Sequence, residues 1–262
     1  MVNASVVTDP KTLEPPDFPE AALGQGALIV TPTYNERSNL EAFVETTLGV
    51  APGADILIVD DNSPDGTGVL ADELAARDAR VRVLHRPSKL GLGTAYTAAF
   101  QLGLHEGYRY FFEMDADLSH DPRHLPDFFR ELEAGADLVI GSRNVRGGNV
   151  MGWGAGRHAL SKGGSLYSRL ILGVGIRDLT SGYKAFQRHA LEALIAGKVV
   201  SNGYSFQIEI TYRALRLGMK VREVPIVFVD RQVGASKMDR KIVLEAVTTV
   251  WKLRLRTLLR HD

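Results

Sequence analysis

Short apolar runs alternate with amphipathic stretches along the first half of the chain. The runs are four or five residues long and rich in Val, Ile and Phe, which is typical of strands buried on both faces. The stretches between them repeat apolar residues every three to four positions, as helices do. This alternation predicts an α/β fold with a mostly parallel central sheet flanked by helices. The predicted strands are Ala27–Thr31, Asp55–Val59, Val81–His85, Tyr110–Met114 and Asp137–Ile140.

The rhythm changes after the fifth predicted strand. The stretch from Arg143 to Gly164 is rich in glycine and has no long apolar run, so we predict a mobile loop followed by a helix. Further on, Pro225 falls inside an apolar run, and a proline within a strand indicates an edge strand or a bulge. The remaining predicted elements are a strand at Thr180–Gln187, a helix at Ser205–Leu217 and a strand at Val221–Val229.

The pattern divides the chain into three segments. Residues 1–24 lack hydrophobic periodicity and are predicted to form a poorly ordered arm, and residues 25–240 are predicted to form one α/β domain. Residues 241–262 have the periodicity of an amphipathic helix, which we expect to pack on the domain or to lie at a membrane surface. The predicted apolar face of this helix comprises Leu244, Val247, Trp251, Leu255 and Leu258.

Composition and charge exclude several classes of protein. Hydrophobic residues make up 45 % of the chain and charged residues 24 %, as in globular proteins. The 31 Lys and Arg residues balance 31 Asp and Glu residues, so we expect no nucleic-acid partner. The absence of cysteine excludes disulfides and Cys-ligated metals. From Arg231 to Asp262, eight basic residues face three acidic ones, which predicts an anionic partner for this end of the chain.

The sequence also bears on where the protein works. No apolar stretch approaches the roughly 18 residues that a membrane-spanning helix needs. The first twenty residues are acidic and rich in proline, unlike the basic and then apolar pattern of a signal peptide. We therefore expect a cytoplasmic protein.

Polar side chains follow four of the predicted strands, and in open α/β sheets ligands bind beyond the carboxyl ends of the strands. Because these ends meet at one edge of the sheet, we expect their carboxylates and an arginine to lie close together. The segments concerned are Thr31–Arg37, Asp60–Thr67, Asp115–Asp117 and Gly141–Arg143.

Asp115 and Asp117, separated by one residue, are the strongest candidates for a metal site. Hard oxygen ligands of this kind suit Mg²⁺ or Mn²⁺, which bind one or two protein carboxylates together with substrate phosphates. The same two acids would also serve as helix-capping residues before Pro122. The polar neighbouring strand ends favour the metal site.

Two further segments have more than one interpretation. Asp60 and Asp61 either accept hydrogen bonds from a ribose or a base or build a turn with the residues after them, and both roles are compatible. Gly91–Ala95 resembles a glycine-rich phosphate loop, but Tyr96 stands where the last glycine of the dinucleotide fingerprint belongs. We therefore predict neither a dehydrogenase nor a P-loop enzyme.

Taken together and in this order, seven motifs resemble those of the family 2 glycosyltransferases, specifically the dolichyl- or polyprenyl-phosphate mannose synthases. The resemblance covers about residues 27–240. It implies a Rossmann-like nucleotide-sugar glycosyltransferase fold of the A type, with residues 25–240 as the catalytic domain. The motifs are TPTYNE (Thr31–Glu36), VDDNSPDGT (Val59–Thr67), GLGTA (Gly91–Ala95), MDADLSH (Met114–His120), GSR (Gly141–Arg143), RxxxS (Arg157 to Ser161) and SGYKAF (Ser181–Phe186).

The same resemblance implies an activity. The expected reaction is the inverting transfer of mannose from GDP-mannose to a polyprenyl (dolichyl-type) phosphate, with Mg²⁺ or Mn²⁺ as the divalent cofactor. A lipid acceptor implies peripheral attachment at the cytoplasmic face of a membrane, either directly or through a separate membrane anchor protein. Because a phosphate monoester is mostly a dianion at neutral pH, we expect no general base.

Site roles carry over from the resemblance motif by motif. Ser119 stands where family members often have Gln, so it is the expected third metal position, with water or His120 as substitutes. The residues expected to hold the guanosine are Pro32, Tyr34, Glu36, Val59 and Asp61. Asp115, Ala116 and Asp117 are expected to hold the ribose, the sugar and the metal-bound pyrophosphate. Arg143 is expected at the mannose or phosphates, Arg157 and Ser161 at the acceptor phosphate, and Arg231 and Lys237 in a flexible loop over the pyrophosphate.

Two alternatives stay open at this point. One is a lipid-phosphate glucosyltransferase, or another family 2 transferase, that uses a UDP-sugar. The other is a sensor that binds a nucleotide sugar without catalysis. The intact pair of aspartates and the basic residues favour an enzyme, because a pure binder needs no metal at the leaving group.

Overall fold

The computed structural model describes residues 23–152, 154–197, 204–230 and 248–255, without the side chains of residues 155, 157–160 and 204. Strands and helices alternate along most of this length. The strands are β1 (Ala27–Thr33), β2 (Asp55–Asp60), β3 (Val81–His85), β4 (Tyr110–Glu113), β5 (Leu138–Ser142), β6 (Asn149–Met151), β7 (Lys184–Gln187), β8 (Val221–Pro225) and β9 (Val227–Val229). The helices are α1 (Arg37–Val50), α2 (Thr67–Arg77), α3 (Leu92–His105), α4 (Leu125–Glu133), α5 (Ala155–Leu172), α6 (Arg188–Ile195) and α7 (Tyr204–Arg216), with a 3₁₀ turn at Pro122–His124.

Seven of the described strands form one sheet in the order β3-β2-β1-β4-β7-β5-β8. All its pairings are parallel except the two made by β7, which runs antiparallel to β4 and to β5. In the β4–β7 ladder Glu113 lies opposite Lys184, so β7 begins at the edge where β4 ends. The prediction of a mostly parallel sheet is confirmed, and β7 adds a fifth chain segment to the candidate edge.

Both faces of the sheet are buried, which is why its strands are continuous apolar runs. In β1, Ile29 points into one core and Leu28 into the other, because successive side chains of a strand face opposite sides. Helix α1 covers the first face with Phe43, and α3 covers the second with Phe100. Each fully buried side chain of this kind contributes about 1.5–3 kcal/mol relative to exposure.

The stretch from Arg143 to Gly164, predicted as a mobile loop followed by a helix, contains more regular structure than expected. It contains β6, which pairs with β9 in a two-stranded parallel sheet, and α5 begins as early as Ala155. Gly148 meets a steric need here, since a Cβ at this position would lie 2.5 Å from the Ser142 carbonyl oxygen. The glycine content was therefore a poor guide, because tertiary packing overrides helix propensity.

The single strand predicted at Val221–Val229 is two strands in two different sheets. The first, β8, ends at Pro225 and is the edge strand of the large sheet, as the proline indicated. After Ile226 the chain continues as β9 beside β6. Helix α6 was not predicted.

Residues 248–255 form a helix that packs against the second core through Val250 and Leu253. Trp251 and Leu255, placed by the sequence pattern on the apolar face, are instead 48 % and 51 % exposed. The rest of the segment predicted as the C-terminal helix lies outside the described residues. None of the described helices has the length and apolar character needed to span a bilayer.

Candidate active site

The loops after β1 and β2 are joined by hydrogen bonds through Asp60. Its Oδ1 accepts the Thr33 hydroxyl at 3.0 Å and the Ser63 hydroxyl at 2.6 Å. Ser63 Oγ in turn accepts the Asn35 backbone N–H at 3.1 Å. Of the two adjacent aspartates, Asp60 is therefore the one that builds the turn.

A second set of hydrogen bonds joins the same loops further on. The Thr67 hydroxyl donates to Asp65 Oδ1 at 2.6 Å and accepts the Glu36 backbone N–H at 3.0 Å. The Glu36 carboxylate accepts the Asn39 side-chain amide at 3.0 Å. Glu36, one of the predicted nucleotide contacts, is thus held on both its backbone and its side chain.

Asp61, the other aspartate of the pair, forms an ion pair with Arg86. The distance from Arg86 Nε to Asp61 Oδ1 is 3.2 Å, and both side chains are only 8 % exposed. Burial raises the pKa of Asp61 by more than the positive charge of Arg86 lowers it. Asp61 Oδ1 and Arg86 Nη1 have no hydrogen-bond partner among the described residues. A buried acceptor and a buried donor that lack hydrogen-bond partners match the donors and acceptors of a nucleobase.

Other predicted nucleotide contacts lie near this pair. Pro32 and Val59 are direct neighbours in the β1–β2 ladder. The Lys89 amine lies 4.4 Å from the centre of the Tyr34 ring, a cation–π contact. Arg86 Nη2 donates to the Thr94 hydroxyl at 2.8 Å. The sequence pattern did not single out Arg86 or Lys89, although both follow β3 at the carboxyl edge, where the other candidates were found.

The aspartate pair follows β4 in a tight loop. Asp117 Oδ1 accepts the Ser119 backbone N–H at 3.1 Å and the Ser119 hydroxyl at 2.6 Å. The backbone N–H of Asp115 donates to His120 Nδ1 at 3.0 Å, while the Asp115 side chain is 44 % exposed. Leu118, between Asp117 and Ser119, adopts a left-handed backbone φ of 59°. Hydrogen bonds to Ser119 and His120 therefore hold this loop, which carries the two carboxylates.

Ser119 and His120 were both predicted as candidate metal ligands. The Ser119 hydroxyl is bonded to Asp117, and its side chain is buried. His120 uses its Nδ1 lone pair to accept the Asp115 amide, and burial lowers the pKa of this ring, so the imidazole is neutral with its proton on Nε2. In this arrangement both residues orient the aspartates.

Two oppositely charged side chains are buried directly beneath this loop. Glu113 and Lys184 are both completely inaccessible to solvent. The Lys184 amine donates to the Ser181 carbonyl and to Gln207 Oε1. Burial raises the pKa of Glu113 and lowers that of Lys184, since it disfavours the charged form of each. The sequence pattern placed Lys184 in a motif without assigning it a role.

Arg143, at the end of β5, is fixed by Asp178. Its Nε and Nη2 atoms each donate to the carboxylate at 2.7 Å, and its backbone N–H does so at 3.0 Å. Thr180 Oγ1 accepts a further bond from Nη2 at 2.9 Å. Although burial raises the pKa of Asp178, the charge and hydrogen bonds of Arg143 hold it below its usual value. Asp178 was not predicted.

The remaining predicted residues belong to the acceptor side or to the closing loop. Ser161 lies on α5 and is half-buried, and Arg157 lies on the same helix, its side chain not described. Asn144 Nδ2 donates to Ser165 Oγ at 3.4 Å, which ties α5 to the loop that follows Arg143. Arg231 and Lys237 lie outside the described residues.

Comparison with known proteins assigns the chain to a family. Residues 28–195 match the model of glycosyl transferase family 2. The chain is 49 % identical to a polyprenol monophosphomannose synthase of Mycolicibacterium smegmatis over 94 % of this chain and 91 % of that protein. It is 47 % identical to an undecaprenyl-phosphate mannosyltransferase of Micrococcus luteus, over 87 % of this chain and 95 % of that one. The chain belongs to glycosyl transferase family 2 and is a glycosyltransferase.

Solved structures with the same fold are more distant in sequence. A glucosyl-3-phosphoglycerate synthase from Mycobacterium tuberculosis, in complex with Mn²⁺, UDP-glucose and phosphoglyceric acid, has a TM-score of 0.66 at 19 % identity, covering 88 % of this chain and 80 % of that one. A mannosyltransferase from Pyrobaculum calidifontis, in complex with GDP-Man and Mn²⁺, has a TM-score of 0.60 at 16 % identity, covering 91 % and 66 %. The fold is the A-type glycosyltransferase fold, as predicted.

Proposed function

We propose that this protein transfers mannose from GDP-mannose to a polyprenyl (dolichyl-type) phosphate, producing polyprenyl β-mannosyl phosphate and GDP. The observation that carries the proposal is the near-50 % identity, over almost the full chain, to two relatives named for mannosyl transfer to polyprenyl phosphates. The distant fold neighbour in complex with GDP-Man is consistent with this donor.

The donor nucleotide is proposed to bind across the ends of β1, β2 and β3. Tyr34 and Lys89 form one side of this region, and the Asp61–Arg86 pair offers a base both a carboxylate acceptor and a guanidinium donor. The buried atoms of that pair that have no hydrogen-bond partner support a nucleobase as ligand. The hydrogen-bonded turn at Asp60 holds these groups in place before the donor arrives.

The diphosphate is proposed to bind at Asp115 and Asp117 together with a divalent cation, Mg²⁺ or Mn²⁺. Among the described residues no three His, Cys, Asp or Glu side chains gather into a ready-made metal cage. Two carboxylates are nevertheless the donor set that Mg²⁺ and Mn²⁺ take when substrate phosphates complete the coordination. A cation held there would supply positive charge to the departing diphosphate. Ser119 and His120 keep both aspartates in position for it.

The chemistry requires two polyanions to approach each other. The acceptor phosphate, mostly a dianion at neutral pH, is itself the nucleophile, so the protein has to orient it rather than deprotonate it. Arg143 from β5 and Arg157 from α5 are proposed to offset the phosphate charges. A single in-line attack on the anomeric carbon from the face opposite the diphosphate inverts the configuration, which gives the β-mannosyl product.

The lipid part of the acceptor is proposed to reach the site along α5, with the protein bound peripherally at the cytoplasmic face of a membrane. Leu166 and Leu170, one turn apart on this helix, are 52 % and 72 % exposed. Trp251 and Leu255 are likewise exposed one turn apart on the helix at 248–255. Exposed apolar side chains in this spacing fit a helix face that contacts the boundary of a bilayer. A separate membrane anchor protein would serve the same purpose.

The test is direct transfer from radiolabelled donors. Purified protein is incubated with GDP-mannose or UDP-glucose, a short polyprenyl phosphate and Mg²⁺ or Mn²⁺, and the label in the lipid fraction is counted. We expect mannosyl lipid of β configuration from GDP-mannose only. Glucosyl lipid from UDP-glucose would contradict the donor assignment. Tight donor binding without any product would favour the sensor.

Two variants separate the donor site from the acceptor site. Asp61→Ala should weaken GDP-mannose binding, measured by calorimetry with donor and metal but no lipid. Arg157→Ala should leave that binding intact and raise the KM for the polyprenyl phosphate. Loss of donor binding in Arg157→Ala would contradict the proposed acceptor pocket.

A further inference from the structure

Asp178 is buried, charged and absent from the roles assigned above. It lies in the loop between α5 and β7, and its side chain has no solvent exposure. The carboxylate accepts three hydrogen bonds from Arg143 at 2.7–3.0 Å, two from the guanidinium and one from the backbone. Burying a carboxylate is costly unless it is paired and fully hydrogen-bonded, and Arg143 meets that requirement here.

A second carboxylate fixes the loop that carries Asp178. Glu223, on the edge strand β8, accepts the backbone N–H of Arg177 at 2.8 Å and that of Asp178 at 2.9 Å. Asp178 is therefore attached to the sheet through its backbone while its side chain holds the arginine. A planar guanidinium bound along one edge by two parallel hydrogen bonds has a defined orientation.

That orientation is tied to the loop of the two aspartates through one aromatic ring. The guanidinium carbon of Arg143 lies 5.5 Å from the centre of the Phe228 ring. The same ring meets the His120 ring edge-on, with centroids 5.8 Å apart, and His120 accepts the Asp115 amide. Arg143 is thus connected to the proposed diphosphate site through Phe228 and His120.

We propose that Asp178 is a positioning residue for the transfer reaction: it acts through Arg143, holding the guanidinium in the orientation that meets the sugar phosphate in the transition state. The proposal rests on the proposed function of Arg143. Asp178 touches neither substrate, and Glu223 and Thr180 support it from behind.

A double-mutant cycle tests this directly. The kcat for mannosyl transfer and the KM values for donor and acceptor are measured for wild type, Asp178→Asn, Arg143→Ala and the double variant. Asp178→Asn should lower kcat by up to about 100-fold, as misplacement of a group by 1 Å can. In the Arg143→Ala background the same substitution should change kcat by less than about twofold, since the group it positions is gone. KM for the donor should change far less than kcat in Asp178→Asn.

An equal loss of kcat in both backgrounds would overturn the proposal, because Asp178 would then act independently of Arg143. Thr180→Val serves if Asp178→Asn does not fold. It removes the hydrogen bond that Thr180 accepts from Nη2 and the one that it donates to Asp178, without leaving a buried charge unpaired, and its smaller loss of kcat should also vanish in Arg143→Ala. Asp78→Asn is the matched control: it removes the partner of Arg80 at the opposite edge of the sheet and should leave kcat unchanged.

A readout without turnover separates this proposal from the proposed function. If the wild type transfers no mannose, the proposed function fails and the role of Asp178 in transfer fails with it, while the Nε–H resonance of Arg143 in the NMR spectrum still decides whether Asp178 orients the guanidinium. Donation to the Asp178 carboxylate should shift this resonance and slow its exchange with water, and both effects should be clearly smaller in Asp178→Asn, because a neutral amide oxygen is the weaker acceptor. A resonance that is identical in wild type and Asp178→Asn would overturn the proposal.

Discussion

The two halves of the site edge are held together by different kinds of interaction. In the half at the ends of β1 and β2, hydroxyls and backbone amides join the two consecutive loops, as at Asp60 and Thr67, while the buried ion pair of Asp61 with Arg86 links the β2 loop to the segment after β3. The half at the ends of β4, β5 and β7 contains buried charged groups: Glu113 lies opposite Lys184 in the β4–β7 ladder, and Arg143 forms an ion pair with Asp178. A lost hydrogen bond between a hydroxyl and a carboxylate costs about 1.5–3 kcal/mol, whereas a buried charge left without its partner costs about 3–5 kcal/mol. The second half is therefore the one in which the loss of a partner costs most, and it is the half proposed to meet the phosphates.

The largest effect is expected at Lys184. Replacing it by Met leaves Glu113 buried opposite an apolar side chain, so the free energy of unfolding should fall by about 3–5 kcal/mol. Urea denaturation at pH 7 measures this. Combining it with Glu113→Gln should restore part of the loss, because the uncompensated charge is removed. If the double variant is less stable than Lys184→Met, the two residues do not form a compensating pair.

The next largest effect is expected at the boundary between the halves, at Asp117. Asp117→Asn should lower kcat by about 100-fold or more, since one of the two carboxylates for the cation is lost, while the melting temperature stays nearly constant. Asp127→Asn, the same chemical change at a partly exposed ion pair with Arg130 on α4, is the control.

Chelation tests the same site without a substitution. EDTA should abolish transfer by the wild type, and added Mg²⁺ or Mn²⁺ should restore it. Full activity in EDTA would contradict a metal-dependent reaction.

The third prediction concerns how the free energy of unfolding depends on pH. Arg143 lowers the pKa of Asp178 below its value of 3.8 in the unfolded chain, so the pair stabilises the fold above that pH. This stabilisation is lost as the pH falls through the lower pKa of the folded state. The difference in unfolding free energy between wild type and Asp178→Asn should therefore be constant from pH 7 to about pH 5 and shrink below pH 3.8. A difference that is independent of pH down to complete acid unfolding would show that the charge of Asp178 is not what stabilises.

The smallest effect is expected in the half built from hydroxyls. Ser63→Ala removes one hydrogen bond to Asp60 and one from Asn35, yet Asp60 still accepts the Thr33 hydroxyl. We expect a loss of about 1.5 kcal/mol in unfolding free energy, because the bond to the Asp60 carboxylate is only partly buried, with donor binding weakened only slightly. A loss as large as that of Lys184→Met would remove the contrast between the two halves.

The polar strand ends of the site could be predicted from the sequence because the pattern that marks them is local. Strands buried on both faces must be continuous apolar runs, and parallel strands bring their carboxyl ends to one edge. Asp61, Asp115 and Arg143 could therefore be placed together before any coordinates, and the structure brings them to that edge. The roles of Arg157, Arg231 and Lys237, given by resemblance, stay predictions.

Tertiary structure decided what depends on distant partners. No local pattern marks β7 as antiparallel, yet its direction brings Lys184 opposite Glu113. Asp178 pairs with an arginine 35 residues away. The sequence determined the strands, their order along the chain and the chemistry at their ends, because periodicity and turn residues act over a few positions. Which buried charges neutralise one another was decided only by folding, because the cost of burial depends on what the completed sheet places beside each group.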